Sequence, residues 1–381
     1  KRRKKGNFGL SFFSGEKGLT GVNNYAILSI KKQTPQGGCD KMKPEILFLK
    51  QEDVIKAGLL DMKMVLAETE KTFKMIGQNQ IINPTKVFMG MPSNENWDSY
   101  CMSMPAYIGG DVDTAGFKWA AESKANAQLE GVPYGIDIVI LSDPKTVFPK
   151  AILDGTITTA MRTSATAGVM AKYNALKGTK VACLVGAGVI GRTAIMAVSE
   201  TVPTLETIYL CDLDISKAEG LKKEFEGVCK ATIIPSTDTQ GCAKKSELII
   251  TQTTTSKPFI TPDCVNKGAT VIQMAAHEVE HDVIRHADQV FVDYWEQMIR
   301  HMDLDVAQLH HAGEIQFEDV VELSALTLGK HPGRKSADET LYCASMGLGA
   351  LDIMIGYSMY LNAKKMGLGV TLHQWDNPLW E

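Results

Sequence analysis

Three glycines in "CLVGAGVIGRTA", residues 183–194, stand in the order G-x-G-x-x-G: Gly186, Gly188 and Gly191. They follow the apolar run "KVACLVG" and open a stretch with helical spacing. Asp212 closes the next apolar run, 21 positions after Gly191, where a dinucleotide cradle wants an acidic residue about 20 positions on. The chemistry follows from the residue types. Gly186 permits a tight turn, Gly188 lets the backbone approach a pyrophosphate, and Gly191 lets strand and helix pack closely. Val189 and Ile190 lie between the glycines, at a helix N-terminus whose free N–H groups and dipole suit an anion. Asp212 would accept hydrogen bonds from the adenosine ribose. A carboxylate there repels a 2′-phosphate, so NAD is expected rather than NADP, with Arg192 and Lys217 as the nearby cations that would offset it.

A second group of residues could hold a carboxylate. Lys118 in "AGFKWAAES" and Arg162 in "TAMRTSATAG" are cations set in apolar sequence, where an unpaired charge is costly to bury. A substrate carboxylate would supply the partner, and the Arg162 guanidinium offers it two parallel donors. For Lys118 a structural role, snorkelling or an internal ion pair, and a catalytic role are equal readings. Lys86 in "NPTKVF" would be a third contact, although a plain surface lysine fits its sequence context. In "MAAHEVEHDVIRHAD", His277, Glu278, Glu280 and His281 crowd the end of an apolar run. Catalytic zinc wants three protein ligands, and H-E-V-E-H offers no obvious third, so no metal is expected. His277 or Glu278 as an acid–base pair beside a nicotinamide, or a solvated loop, are the readings left open.

The elements that must position these residues are legible from periodicity. "EILFLK", "DTAGFKWAAES" and "GIDIVILSD" read as strands, and "KQEDVIKAGLLDMKMVLAETEKTFKMI" as helix. "AILDGTITTAMRTSATAGVMAKYNAL" reads as the approach to a helix and then a helix rich in small residues. From residue 180 onward, apolar strands ("KVACLVG", "TLETIYLCDLD", "ATIIPS", "ELIITQTTT", "ATVIQMAA", "QVFVDY") alternate with helical or loop connections, the pattern of a doubly wound parallel α/β sheet. "EDVVELSALTLGK" and "ADETLYCASMGLGALDIMIGYSMYLNAKKMG" read as helices. The expected organisation is a polar, basic appendage over 1–42 that begins "KRRKK", and a discontinuous α+β domain over 43–160 plus 318–381. A Rossmann domain over 161–317 lies between its two parts.

At 381 residues two domains are expected. Forty Lys and Arg against 44 Asp and Glu give a charge of −4, which argues against a nucleic-acid or anionic-membrane partner. No apolar run approaches the roughly 20 residues of a membrane span. Eight scattered cysteines without a C-x-x-C pair suit a reducing, cytoplasmic compartment.

"MPAYIGGDVDTAGFKW", "AMRTSATAGVMAKY", "VGAGVIGRTA", "TQTTTSKP" and "GKHPGRKSADETLYCASMGLGALD" together resemble the ornithine cyclodeaminase/μ-crystallin family, in order from about residue 46 to 370. The long connection "SKANAQLEGVPYGIDIVILSDPKT" and the extended C-terminus are similar to an offshoot that includes proteins like the second subunit of tyramine oxidase. The resemblance implies a first domain that dimerises and carries the substrate pocket, completed by the C-terminal helices. It assigns the substrate carboxylate to Lys118 and Arg162, with Lys86 in place of a further family arginine. It places Thr253, Ser345 and Asp352 among the cofactor contacts, with Gly333 and Arg334 near cofactor and domain interface. The family's catalytic aspartate sits in a G-A-D-x-P-G-K-like segment, where this chain has "MAAHEVEHD". That departure bears on cyclodeamination more than on hydride exchange at an amino-bearing carbon. The expected function is therefore NAD-dependent oxidation or reduction at the C–N bond of a small amino or imino acid, with ornithine-to-proline conversion one candidate. An imine reductase, an amino-acid dehydrogenase, a non-catalytic ligand-binding protein and a subunit of an amine-oxidising complex are the alternatives.

Overall fold

The computed structural model describes residues 44–91, 99–376 and 378–380; the expected basic appendage lies outside them. Two sheets organise the chain. The first begins with β1 (Glu45–Leu49), β2 (Ile81–Ile82), β3 (Val87–Met91), β4 (Ser99–Ile108), β5 (Thr114–Ser123), β6 (Gly135–Ser142) and β7 (Pro149–Asp154). The second contains β8 (Val181–Val185), β9 (Thr207–Cys211), β10 (Thr232–Ser236), β11 (Leu248–Thr251), β12 (Thr270–Gln273), β13 (Gln289–Val292), β14 (Val320–Glu322) and β15 (Leu341–Ala344). The final strand, β16 (Val370–His373), returns to the first sheet as an antiparallel partner of β1.

The second sheet is parallel throughout, in the order β10-β9-β8-β11-β12-β15-β13-β14. Its central strands are buried along their whole length, as in "LIIT" and "TVIQ", which explains their unbroken apolar runs. Strand order reverses at β8, beside the glycine-rich turn, so a crevice opens there at the carboxyl edge.

Two short strands depart from the sequence reading. β14 and β15 fall in stretches expected to be helical and expected to belong with the first domain, yet both hydrogen-bond into the parallel sheet. "LYCA" is wholly buried, and four apolar residues carry no period that separates strand from helix. Likewise "PKAILD" is strand β7 and not the approach to a helix, because β6 and β1 flank it and take its backbone bonds.

In the first sheet, β4, β5 and β6 form an antiparallel ribbon with Lys118 opposite Met104 and Val139. Alternation along β5 turns Lys118 inward and Trp119 outward. Over the inner face lies the C-terminal helix Gly349–Met366, apolar and buried for most of its length, which ends at Gly367 in the left-handed conformation. Its start touches the sheet closely: a Cβ on Gly349 would stand 2.5 Å from the Met104 carbonyl oxygen. Between the sheets runs the small-residue helix Thr156–Asn174, packed against the helix Val189–Thr201 that follows the glycine turn. Ser164 and Thr193 share a 2.7 Å hydrogen bond at that crossing, and Thr193 also donates to the Ala160 carbonyl.

Candidate functional site

The glycine turn has the form the spacing predicts. Gly186 adopts φ +105°, and a Cβ there would lie 2.6 Å from the Gln252 carbonyl oxygen. A Cβ on Gly191 would lie 2.1 Å from the Gly186 carbonyl oxygen, so helix and strand meet without room for a side chain. A Cβ on Gly188 would meet no protein atom within 4 Å. That is the open side, at the start of a helix with no side-chain cap, where unbound N–H groups face outward. Val189 is exposed there, with Ile190 beside it half-buried. Asp212 follows β9; its Oδ2 accepts from the Ala187 N–H at 2.8 Å and its Oδ1 from the Asp214 N–H at 2.9 Å. The same carboxylate therefore shapes the turn it faces. Arg192 is engaged by Glu224 through both carboxylate oxygens, which reduces its availability to offset the Asp212 charge.

Lys118 and Arg162 meet in a buried charge cluster. Lys118 Nζ stands 3.3 Å from Asp352 Oδ1 and 3.5 Å from Asp137 Oδ2, and donates to Thr159 Oγ1 at 3.0 Å. Arg162 Nε donates to the same Asp352 oxygen at 3.1 Å. Two cations and two carboxylates thus balance one another in a nearly water-free place. The local structure sets this up. Gly155 approaches Asp137 so closely that a Cβ would fall 2.9 Å from it, and Asp137 N–H donates to Thr156 Oγ1. The helix Thr156–Asn174 is therefore sewn at its first turn to β6, and Arg162 emerges nearly two turns later. Among the described residues Arg162 Nη1 and Nη2 have no hydrogen-bond partner, so the outer half of the guanidinium fork is available to a carboxylate.

Lys86 joins the group from the segment between β2 and β3. Its Nζ donates to the Met346 carbonyl at 2.7 Å. The half-buried Lys86 ammonium has its pKa pushed down to about 7 by loss of solvent, then by the charges of Arg162 and Lys118, against the pull of Asp293 and Asp352. Asp293, directly after β13, anchors the turn that Lys86 reaches. One of its oxygens accepts from Ser345 Oγ, Met346 N–H and Gly347 N–H, each at 2.8 Å. Gly347 has φ +73°, and a Cβ there would fall 2.3 Å from Arg162 Nη1. Only glycine lets that turn lie against the guanidinium.

The residues that the resemblance places near the cofactor make the following contacts within the chain. Asp352, expected at the cofactor, is drawn under Lys118 and Arg162, where a buried carboxylate finds its countercharges. Ser345 is taken by Asp293. Arg334 bonds the Asn174 and Ala269 carbonyls and Thr270 Oγ1, at the amino end of β12 and away from the ligand edge. Gly333 approaches the Tyr173 carbonyl at the same end.

Glu278 is fully buried, and both oxygens are committed. Oε2 accepts from Thr251 Oγ1 at 2.7 Å and Ala275 N–H at 3.1 Å, and Oε1 accepts from Thr253 N–H at 2.5 Å. It ties the loops after β11 and β12 together, and fixes Thr253. In this fold the carboxylate serves as a tie between the two loops. His277 has φ +62°, held by its N–H to Asp305 Oδ2 at 3.1 Å. His281 Nε2 lies 3.4 Å from Asp305 Oδ1. Neither His277 nor Glu278 contacts the Lys118–Arg162 cluster among the described residues. Asp137, Asp293 and Thr159 went unread in the sequence; an aspartate inside the apolar strand "GIDIVIL" is the same signal that singled out Lys118.

Burial pushes the Glu278 carboxyl up to about 7, against three hydrogen bonds that favour its charge. The folded chain then holds this proton more tightly than the unfolded chain. Its contribution to stability is complete below about pH 4.5 and is lost as pH rises through about 7, on the order of 3 kcal/mol in all. Glu278→Gln is expected to remove that dependence, read as the wild-type-minus-variant difference in urea unfolding free energy at about pH 5 and about pH 7.5. A difference that does not change with pH would refute the shift.

The site residues therefore follow the carboxyl ends of β8, β9, β11, β12, β13 and β15, with the clamp brought to that edge by the first sheet. Similarity to known proteins runs over the same span. The model of the ornithine cyclodeaminase/mu-crystallin family matches residues 45–366. The N-((2S)-2-amino-2-carboxyethyl)-L-glutamate dehydrogenase of Staphylococcus aureus is 27% identical over 335 residues, 87% of this chain and 99% of that protein. The alanine dehydrogenase of Archaeoglobus fulgidus is 27% identical over 340 residues, 85% of this chain and 97% of that protein. The structure of Thermococcus litoralis Δ1-pyrroline-2-carboxylate reductase in complex with NADH and L-proline superposes with a TM-score of 0.76 at 25% identity, covering 86% of this chain and all of that one. With the family model covering residues 45–366, this chain belongs to the ornithine cyclodeaminase/mu-crystallin family.

Proposed function

We propose that this chain is an NAD-dependent oxidoreductase acting on the C–N bond of a small amino or imino acid. The observation that carries the reading is the half-free guanidinium of Arg162, locked by Asp352 and joined through Ser164 and Thr193 to the helix that begins at the glycine turn. A carboxylate seated on the Nη atoms and on Lys86 is held at a set distance from the cradle. When bound, the nicotinamide accepts or gives a hydride. The chain supplies position: Gly188 and the open helix start receive the pyrophosphate, Asp212 the ribose, and Arg162 with Lys86 the substrate carboxylate. Lys118, bound to two carboxylates, acts by keeping Asp352 and hence Arg162 in place.

The relatives support this reading, since those named above are a dehydrogenase of an amino-acid derivative, an alanine dehydrogenase and a cyclic-imine reductase. A homodimer fits as well. The archaeal alanine dehydrogenase is a dimer, and here the outer face of the first sheet exposes Phe48, Trp119, Ile136, Ile138 and Val370. The deciding assay is purified protein with NAD and either ornithine or alanine, following NADH and ammonia, and with NADH and Δ1-pyrroline-2-carboxylate. Ammonia from ornithine without net NADH means the hydride is returned; net NADH or its consumption means simple dehydrogenation or imine reduction. Failure of every arm would refute the reading.

The Lys86 charge gives this site a pH dependence. A carboxylate is held by the ammonium form, so kcat/KM should fall as pH rises through about 7. Lys86→Arg keeps its charge at every accessible pH and should move that fall upward by about two pH units or more. A fall left in place in the variant would assign it to another group.

A further inference from the structure

The clamp described so far uses Lys86 in its charged form to hold a carboxylate, which leaves the proton of the reacting nitrogen to a separate group. Glu278 is committed to Thr251, Thr253 and Ala275, and Lys118 is bound between Asp137 and Asp352. A third group, His301, is carried by a turn tied to the segment that leads to Lys86. His301 lies in the turn between the short helices Trp295–Met298 and Asp305–His311. Its N–H donates to the Met298 carbonyl and its carbonyl accepts from Leu304. Its Nε2 is buried and has no hydrogen-bond partner. An orphaned buried ring nitrogen is rare and costly, and its cost would be relieved by a ligand.

The place of His301 is fixed through its neighbour. Gln297, also buried, donates through Nε2 to the Asn83 carbonyl at 2.7 Å and the Pro84 carbonyl at 2.9 Å. This holds the segment leading to Lys86 against the turn that carries His301. Asn83 in turn accepts from the Ala350 N–H, at the start of the helix that bears Asp352. The charged groups that face the pair are few. His301 is within electrostatic reach of Lys86, Asp293 and Asp303; Lys86 is within reach of Arg162, Lys118, Asp293, Asp352 and His301. Burial, and then the Lys86 ammonium, hold His301 below its ordinary value, against the pull of Asp303 and Asp293. The imidazole is therefore neutral at physiological pH, the form that accepts a proton.

We propose that His301 is the acid–base group for the substrate nitrogen, working beside Lys86. The inference rests on the oxidoreductase reading above. In the oxidative direction, the substrate ammonium loses one N–H proton to His301 Nε2. The Cα–H bond then breaks with its electron pair passing to nicotinamide C4 of NAD, and the nitrogen lone pair forms the C=N bond of the iminium. Charge and electrons balance with NADH and protonated His301 as products. Imine reduction runs the same steps in reverse, with His301 giving the proton.

Two measurements on the whole 381-residue chain test this. The first needs no substrate: the imidazole signals of histidine-labelled protein are titrated by NMR, with His301→Gln to assign the resonance. His301 should titrate below the ordinary histidine range in the wild type and move up in Lys86→Met; an unmoved titration overturns the pairing. The second uses whichever of alanine, ornithine or Δ1-pyrroline-2-carboxylate the wild type turns over. His301→Ala should lower kcat by about 10²–10⁴-fold, the usual worth of a general acid–base group. Its KM should change little, its acid limb should be lost, and added imidazole should restore part of kcat. His277→Gln serves as the comparison. Loss of kcat in His277→Gln with His301→Ala near wild type would overturn the proposal. Absence of turnover by the wild type itself would instead refute the oxidoreductase reading, and the titration would still decide whether the pair exists.

Discussion

Asp352→Ala is expected to destabilise this protein by about 3–5 kcal/mol, the usual cost of removing one partner from a buried ion pair. The carboxylate stands under two cations at once, 3.3 Å from Lys118 Nζ and 3.1 Å from Arg162 Nε. Without it, two positive charges would share Asp137 alone, and Arg162 Nε would lose its acceptor in a place water scarcely reaches. The Gly347 turn packs against the guanidinium on its Nη1 side. Asp352→Asn keeps the shape and one acceptor oxygen, and should cost clearly less. Urea unfolding of both variants at neutral pH checks this. A loss under about 1 kcal/mol for the alanine variant, the scale of an exposed pair, would mean that the cluster is hydrated and the clamp is not preorganised as described.

At the cradle, two neighbouring glycines should respond in opposite ways. Gly191→Ala drives a methyl group to 2.1 Å from the Gly186 carbonyl oxygen, backbone against backbone. The turn must shift by on the order of 1 Å, a displacement able to cost roughly a hundredfold in function, and the protein without cofactor should already melt several degrees lower. Gly188→Ala meets no protein atom within 4 Å, so its thermal midpoint should be unchanged while NADH binding, read by fluorescence, weakens at least tenfold. The contrast isolates the ligand from the fold. Full NADH affinity in Gly188→Ala would place the pyrophosphate elsewhere.

The cradle was legible because its signals are local. A buried strand, three glycines and an aspartate at the right interval fall within one βαβ unit, and the physics of each is met by its immediate neighbours. Lys118 and Arg162 were legible as charges out of place in apolar sequence, but their partners were not. Asp137 and Asp352 lie 19 and 234 positions from Lys118, and only the closing of β6 and the C-terminal helix brings them together. Glu278 and His277 show what residue type alone leaves out. Their residue types suggest proton chemistry, but Thr251, Thr253 and Ala275 convert the carboxylate into a structural tie. His301, in a stretch of ordinary composition, gave no sequence signal, because its orphaned nitrogen is a property of packing. The strands β14 and β15 were missed for want of length, and their place in the sheet is set by distant partners.

The position of β15 between β12 and β13 has a consequence for how the protein is made. A nascent chain emerges from the ribosome in order, and the parallel sheet cannot be filled until residue 344 has appeared. The other sheet waits longer, since β1 is bordered by β16, which ends at His373. Both halves thus share a late schedule, with strand edges open and apolar faces uncovered for most of synthesis. Among the described residues no single cut separates the two sheets into complete pieces, so the molecule is divisible in architecture and indivisible in assembly.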